Sequence, residues 1–188
     1  MSPVFPSTGF FPLEGVGRLP NVTVAFPGEH WSNRIASGAI VPGEAVIETN
    51  VAGKLAMRRA ASAAEAASRI GALATRVIEP PDLASDSLYT VSLGPNEIKN
   101  RQIESGEYVH AYYSGVFHLT LAVPRAWAPG ELVGWDPAGA RPTGKTGVGA
   151  WGLAAGDATA VFSVMEFRPF SANGQEGILT VRSLRGQF

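Results

Sequence analysis

The chain has no cysteine, few lysines and little charge, and each shortage removes a class of answers. The absence of Cys from all 188 residues excludes disulfides, thiolate metal sites and cysteine nucleophiles together. Charged residues are 16% of the chain, against about 25% in a typical soluble domain, which excludes a disordered polyelectrolyte. The formal net charge is only −1. No basic face stands out, so no nucleic-acid partner is expected. No stretch approaches the roughly 18 apolar residues of a spanning helix, so no membrane partner is expected. The first thirteen residues carry no positive side chain, and prolines break their apolar run. No secretory signal is therefore expected.

Glycine (22) and proline (14) are abundant instead, about 19% of the chain where about 12% is usual. Long helices cannot dominate such a chain, whereas turns and short strands can. Lys54, Lys99 and Lys145 are the only lysines, and the other twelve basic residues are arginine. Arginine suits planar, partly buried ion pairs.

Residues 1–30 read as an extended N-terminal arm. Pro3, Pro6, Pro12, Pro20 and Pro27 interrupt regular structure. Phe5, Phe10, Phe11 and Phe26 lie between them and need apolar surroundings, either on their own domain or on another subunit. Residues 31–188 read as a single β-rich domain. A strand pair is expected over 40–57, with turns at Pro42-Gly43 and at Asn50 to Gly53. The Ala-rich stretch 58–68 predicts a short helix or ordered loop, followed by a strand over 70–78 ended by Pro80-Pro81. Residues 82–100 are polar and turn-rich. A hairpin is expected over 107–122, EYVHAYY returning as VFHLTLA about a Ser114-Gly115 turn. Further strands are expected over 131–135, 159–167 and 178–184, with a glycine-rich segment over 139–157. Eight to ten short strands and at most one helix give an all-β sandwich or distorted barrel.

Three groups of residues invite a chemical reading. Gly139, Gly144, Lys145 and Thr146 fit the G-x-x-x-x-G-K-[ST] pattern of a phosphate-binding loop. That device needs a helix after the loop, and Gly147, Gly149 and Gly152 follow instead. A chance fit is the expectation, with a nucleotide hydrolase using Lys145 as the rival. His110 and His118 would lie diagonally on the expected hairpin, where a metal hydrolase could use them, but no carboxylate cluster accompanies them. No G-x-S-x-G elbow occurs. Trp31, Trp127, Trp135 and Trp151, with Tyr108, Tyr112 and Tyr113, could form a sugar-stacking platform or could serve core and interface packing. Neither a catalytic set, a cofactor nor a metal is expected.

The central GEYVHAYYSGVFHLTLA, the Gly130 to Gly139 strand and turn GELVGWDPAG, the glycine-rich segment after it and the closing ILTVRSL together resemble the structural cement, or head decoration, proteins of tailed double-stranded DNA bacteriophages. The resemblance spans Ile35 to Leu184. It implies a non-enzymatic β-domain on the outer capsid surface of the virion, assembled in the host cytoplasm. Its implied partners are the major capsid protein and itself, as a homotrimer at local three-fold positions. The expected capsid or subunit contacts are Phe5, Phe10 and Phe11, followed by Tyr108, Tyr112 and Trp151. A glycan-binding β-sandwich is the alternative.

Overall fold

The computed structural model describes residues 19–28, 30–76 and 100–185. In chain order these form β1 (Val22–Pro27), β2 (Trp31–Ala36), β3 (Ala45–Val51), β4 (Lys54–Arg59), α1 (Ala63–Ala67), β5 (Gly71–Arg76) and β6 (Tyr108–Tyr112). Then follow β7 (Gly115–Leu119), β8 (Leu132–Asp136), β9 (Ala150–Leu153), β10 (Phe162–Pro169) and β11 (Gly177–Ser183). Strands β2-β4-β3-β5-β6 close into a barrel, and β1-β7-β11-β10-β8-β9 form a six-stranded sheet. The all-β expectation therefore holds, with a barrel and an open sheet packed together.

The expected 107–122 hairpin does not form. β6 pairs with β2 and β5 inside the barrel, while β7 pairs with β1 and β11 in the open sheet. The chain turns a corner between sheets at Ser114–Gly115 instead of folding back. Its partner strand turns the same corner, because β1 runs along β7 and β2 along β6. Two backbone bonds carry the ladder around the bend: Tyr113 N–H to His30 O at 2.9 Å and Gly28 N–H to Ser114 O at 3.1 Å. Gly115 makes the corner possible. Its φ is 140°, and an added Cβ would lie 2.6 Å from the Phe26 carbonyl oxygen. Local sequence read the bend as a two-residue turn because both carry the same small residues.

Other boundaries shift for related reasons. Residues Val22–Pro27, expected within the arm, are the edge strand of the open sheet. Residues 1–18, with Phe5, Phe10 and Phe11, lie outside the described residues, as does most of the turn-rich stretch 82–100. Ile40-Val41 contributes a single bridge to Ile103, and the hairpin in that region is β3–β4. The Ala-rich helix shrinks to α1 because Arg58 and Arg59 are taken by β4. Ser62 caps α1 by accepting from the Glu65 N–H, and the Glu65 carboxylate accepts from Ala61 N–H and grips Arg58 through two bonds. The strand expected over 159–167 begins later, after a 3₁₀ turn at Asp157–Thr159.

Two apolar clusters hold these layers. Inside the barrel lie Ile40, Val46, Met57, Ile103 and Val109. Ala36, Ala72, Ala74 and Ala111 complete this cluster, and their small side chains suit a lumen of five strands. Between barrel and sheet, Ala45, Ile47 and Leu73 meet Phe117, Leu119, Trp135, Trp151, Phe162 and Val181. Polar bonds fix the register of this contact. Trp151 donates Nε1–H to Gly43 O at 2.7 Å, and Trp135 donates Nε1–H to Ala60 O at 3.2 Å. Beside them the buried Glu44 carboxylate accepts from Arg141 at 2.5 Å and from Val41 N–H at 2.9 Å, with Arg59 at 3.5 Å.

Glu44→Ala is expected to destabilise the fold by about 3–5 kcal/mol, because it strands a buried guanidinium. A Glu44→Leu/Arg141→Leu double variant should recover only part of that loss, because it removes the stranded charge but also takes the donor from the Thr146, Val148 and Gly149 carbonyls. Trp151→Phe should cost about 1–3 kcal/mol by leaving the Gly43 carbonyl unpaired. Urea unfolding curves with unchanged slope measure all three.

Candidate functional site

The outer wall of the barrel at β2 and β6 carries an aromatic face. Alternation sends Ser32, Arg34 and Ala36 to the barrel interior and Trp31, Asn33 and Ile35 outward. Cross-strand pairing then sets Trp31 against Tyr112, Asn33 against His110 and Ile35 against Tyr108. Trp31 is 54% exposed, Tyr108 61% and Ile35 37%. On the side of β3 and β5 the outer wall packs against the open sheet. Here it meets solvent.

The rings form a ladder from surface to core. Trp31 and His110 have centroids 4.8 Å apart, and His110 stacks on Tyr112 at 4.6 Å with 13° between planes. Tyr112 meets Phe117 edge-on at 5.9 Å, and Phe117, Phe162, Trp151 and Trp135 continue the series. Burial lowers the His110 pKa, which favours the neutral imidazole, and raises that of the Tyr112 phenol. A pocket of about 240 Å³ lies beside the ladder, where Tyr112 and Thr75 face Val22, Val24 and Pro42.

Polar bonds brace the wall from inside. Tyr113 donates its hydroxyl to Glu48 Oε1 at 2.7 Å, and Arg34 pairs with the same carboxylate at 3.2 Å. Burial pushes the Tyr113 pKa up to about 12. Arg34 comes from β2, Glu48 from β3 and Tyr113 from the end of β6, so one small network ties three staves of the barrel. The outward rings therefore stand on a braced surface.

The structure sorts the sequence candidates. Tyr108 and Tyr112 do share a face, and Trp31 and His110 join them. Trp151, expected at a contact, is instead wholly buried in the core. Its indole fills the space between sheets and spends its N–H on Gly43, so it cannot reach a partner. Trp127 and Trp135 are buried too, so the broad tryptophan platform does not form. Sequence reasoning missed Ile35. The stretch WSNRIA places a polar Asn33 between its outward apolar residues, which hides the period-2 signal.

His110 and His118 do not meet, since they lie in different sheets. His118 instead shares a hydrogen bond with Thr180 at 3.0 Å. Among the described residues no group of three or more His, Asp or Glu could hold a metal ion. The apparent phosphate loop has inverted polarity. Its carbonyls converge on a cation: Arg141 donates to the oxygens of Thr146, Val148 and Gly149, and Arg59 donates to that of Val148. A phosphate cradle needs N–H groups converging on an anion. Turns and then strand β9 (Ala150–Leu153) occupy the stretch where the required helix would run. Lys145 turns away to donate to the Leu19 carbonyl, and burial, helped by the Arg141 charge, lowers its pKa to about 7.

That shift sets a pH dependence. Between about pH 7 and 10.5 the unfolded chain binds a proton at Lys145 that the folded chain releases. Stability should therefore rise with pH across this window and be lowest below it. Above pH 10 the raised Tyr113 pKa reverses the slope, because the unfolded phenol ionises first. Lys145→Met should flatten the rise between pH 7 and 10, read from urea midpoints across pH. An unchanged slope in that variant would assign the dependence to another group.

Compared with protein-family models, curated proteins and solved structures, the chain matches none, so sequence and geometry alone carry the functional reading.

Proposed function

We propose that this chain is a non-enzymatic decoration, or cement, protein of a tailed bacteriophage head. In this reading it docks on the outer surface of the major capsid protein lattice, as trimers at local three-fold positions, and stabilises the head. One observation carries the reading from the structural side. A braced barrel wall presents Trp31, Ile35 and Tyr108 to solvent, backed by an aromatic ladder that runs into the core.

Physical chemistry favours such a face for docking. Tryptophan and tyrosine dominate binding energy at protein interfaces because they bury large rings at small entropic cost. The face holds no charge that docking must desolvate: the residues between its rings are Asn33 and the His110 whose neutral form burial favours. Repetition over a lattice multiplies a modest contact through avidity. The Phe-rich N-terminal segment adds apolar contacts in the same reading, with Phe5, Phe10 and Phe11 as its contact residues.

Co-sedimentation with heads that lack the protein tests the proposal. Saturable pelleting is expected, with heads that then survive heating better. Trp31→Ala/Tyr108→Ala should lower affinity at least about ten-fold, equivalent to roughly 1.4 kcal/mol. Deletion of residues 2–13 should weaken it as well. Absence of pelleting at micromolar protein, together with a Trp fluorescence change on titration with oligosaccharides, would move the aromatic face to a glycan-binding role.

A further inference from the structure

The lysine of the chance phosphate-loop match has a definite job in the fold. It meets the chain at residues 19–21, immediately before β1. The Leu19 carbonyl accepts two side-chain bonds, from Lys145 Nζ and from Asn100 Nδ2, the latter at 2.8 Å. The Pro20 carbonyl accepts from Thr120 Oγ1 at 2.6 Å. Asn21 donates its N–H to Asn100 Oδ1 at 2.6 Å, and its carbonyl accepts from Thr120 N–H at 3.0 Å. Asn21 is itself 3% exposed and packs so tightly on Gly43 that an added Cβ there would lie 2.9 Å from its own.

Three side chains distant in sequence thus converge on three consecutive residues. Ordinary strand pairing does not require this. Thr120 merely extends the β1–β7 ladder by one step, but Asn100 and Lys145 belong to no neighbouring strand. Asn100 uses both ends of its amide on this one stretch. Lys145 buries a side chain that would gain more hydration outside, and it does so to bond one backbone oxygen. The outlay is local and falls at the first described residues, directly after the Phe-rich segment in sequence.

We propose that Asn100 and Lys145 form an anchor that fixes the exit point of the N-terminal segment, and that they are positioning residues for its docking on a neighbouring surface. The part that concerns docking rests on the function proposed above, whereas the anchor stands on the bonds just described. A fixed root matters because a tethered contact gains from an effective concentration set by where the tether begins and how far it must span. Releasing residues 19–21 lengthens the tether and blurs its origin, which lowers that concentration without touching any contact residue.

Trypsin reads the anchor directly. Arg18 is the first basic residue of the chain, so the first tryptic bond is Arg18–Leu19, next to the clamped carbonyl. Cleavage requires this stretch to open, and its rate follows the local opening equilibrium. In the full chain the bond should resist trypsin, and hydrogen exchange should find the Asn21 amide protected. Lys145→Met removes one donor. Asn100→Asp removes the donor to Leu19 while keeping the acceptor for Asn21. Each should speed Arg18–Leu19 cleavage at least about ten-fold, and in Asn100→Asp the thermal midpoint should move little, since only local opening changes. Each should also weaken pelleting with heads.

Equal cleavage rates in wild type and both variants would overturn the anchor, as would an unprotected Asn21 amide in the wild type. The docking reading fails separately: if deletion of residues 2–13 leaves pelleting unchanged, the segment has no docking role, while the trypsin rates still decide the anchor. Normal pelleting by anchor variants whose Arg18–Leu19 bond is readily cut would refute the positioning role.

Discussion

The molecule depends on one buried ion pair. Glu44 and Arg141 each have side chains only 3% exposed and meet at 2.5 Å, joining the start of β3 in the barrel to the long loop between β8 and β9. Neither charge could be buried alone, so the pair must form wherever the two layers close. Its bonds also give the glycine-rich loop a shape. Arg141 holds the carbonyls of Thr146, Val148 and Gly149, satisfying backbone oxygens that no ladder serves. The loop's glycines allow its oxygens to face inward, and Gly149 lies so near the Arg59 guanidinium that a side chain would collide with it.

Around that pair the two sheets share more than a packing surface. The ribbon of β1–β2 against β6–β7 passes through both, so the two sheets, though each has its own strands, are joined by continuous backbone at one corner. Force or strain applied to the barrel wall therefore passes into the open sheet along backbone bonds. The aromatic ladder follows the same route, from Trp31 on the wall through Tyr112 and Phe117 to Trp151 in the core. A surface built this way keeps its shape when loaded.

The polar groups divide by the same logic. Inside the barrel, Glu48 accepts from Tyr113 and pairs with Arg34. At the layer contact, Glu44 is matched by Arg141 and Arg59. At the root of β1, carbonyls take their donors from Asn100, Thr120 and Lys145. Among the described residues, the outer wall at β2 and β6 carries no such network, and its exposed groups are mainly rings and aliphatic carbon. Chemistry that needs a converging polar cluster has no such cluster on that wall.

Composition and pattern by themselves determined the class. High glycine and proline with β-branched and aromatic runs exclude a helical core, and the alternation in EYVHAYY placed Tyr108, His110 and Tyr112 on one face before any partner strand was known. The glycines after Lys145 were enough to discount a phosphate site, because no helix can follow them. Tertiary structure decided what those runs pair with. A corner and a tight turn use the same Ser-Gly dipeptide, so only the distant β1–β2 ribbon could tell that β6 and β7 part into different sheets. Burial of Trp151 was likewise invisible, since an indole suits a core and an interface equally and only packing against Gly43 and Phe162 chooses between them. The short-range signal reports which backbone shapes a residue tolerates. Which surface it meets is set by contacts far apart in the chain.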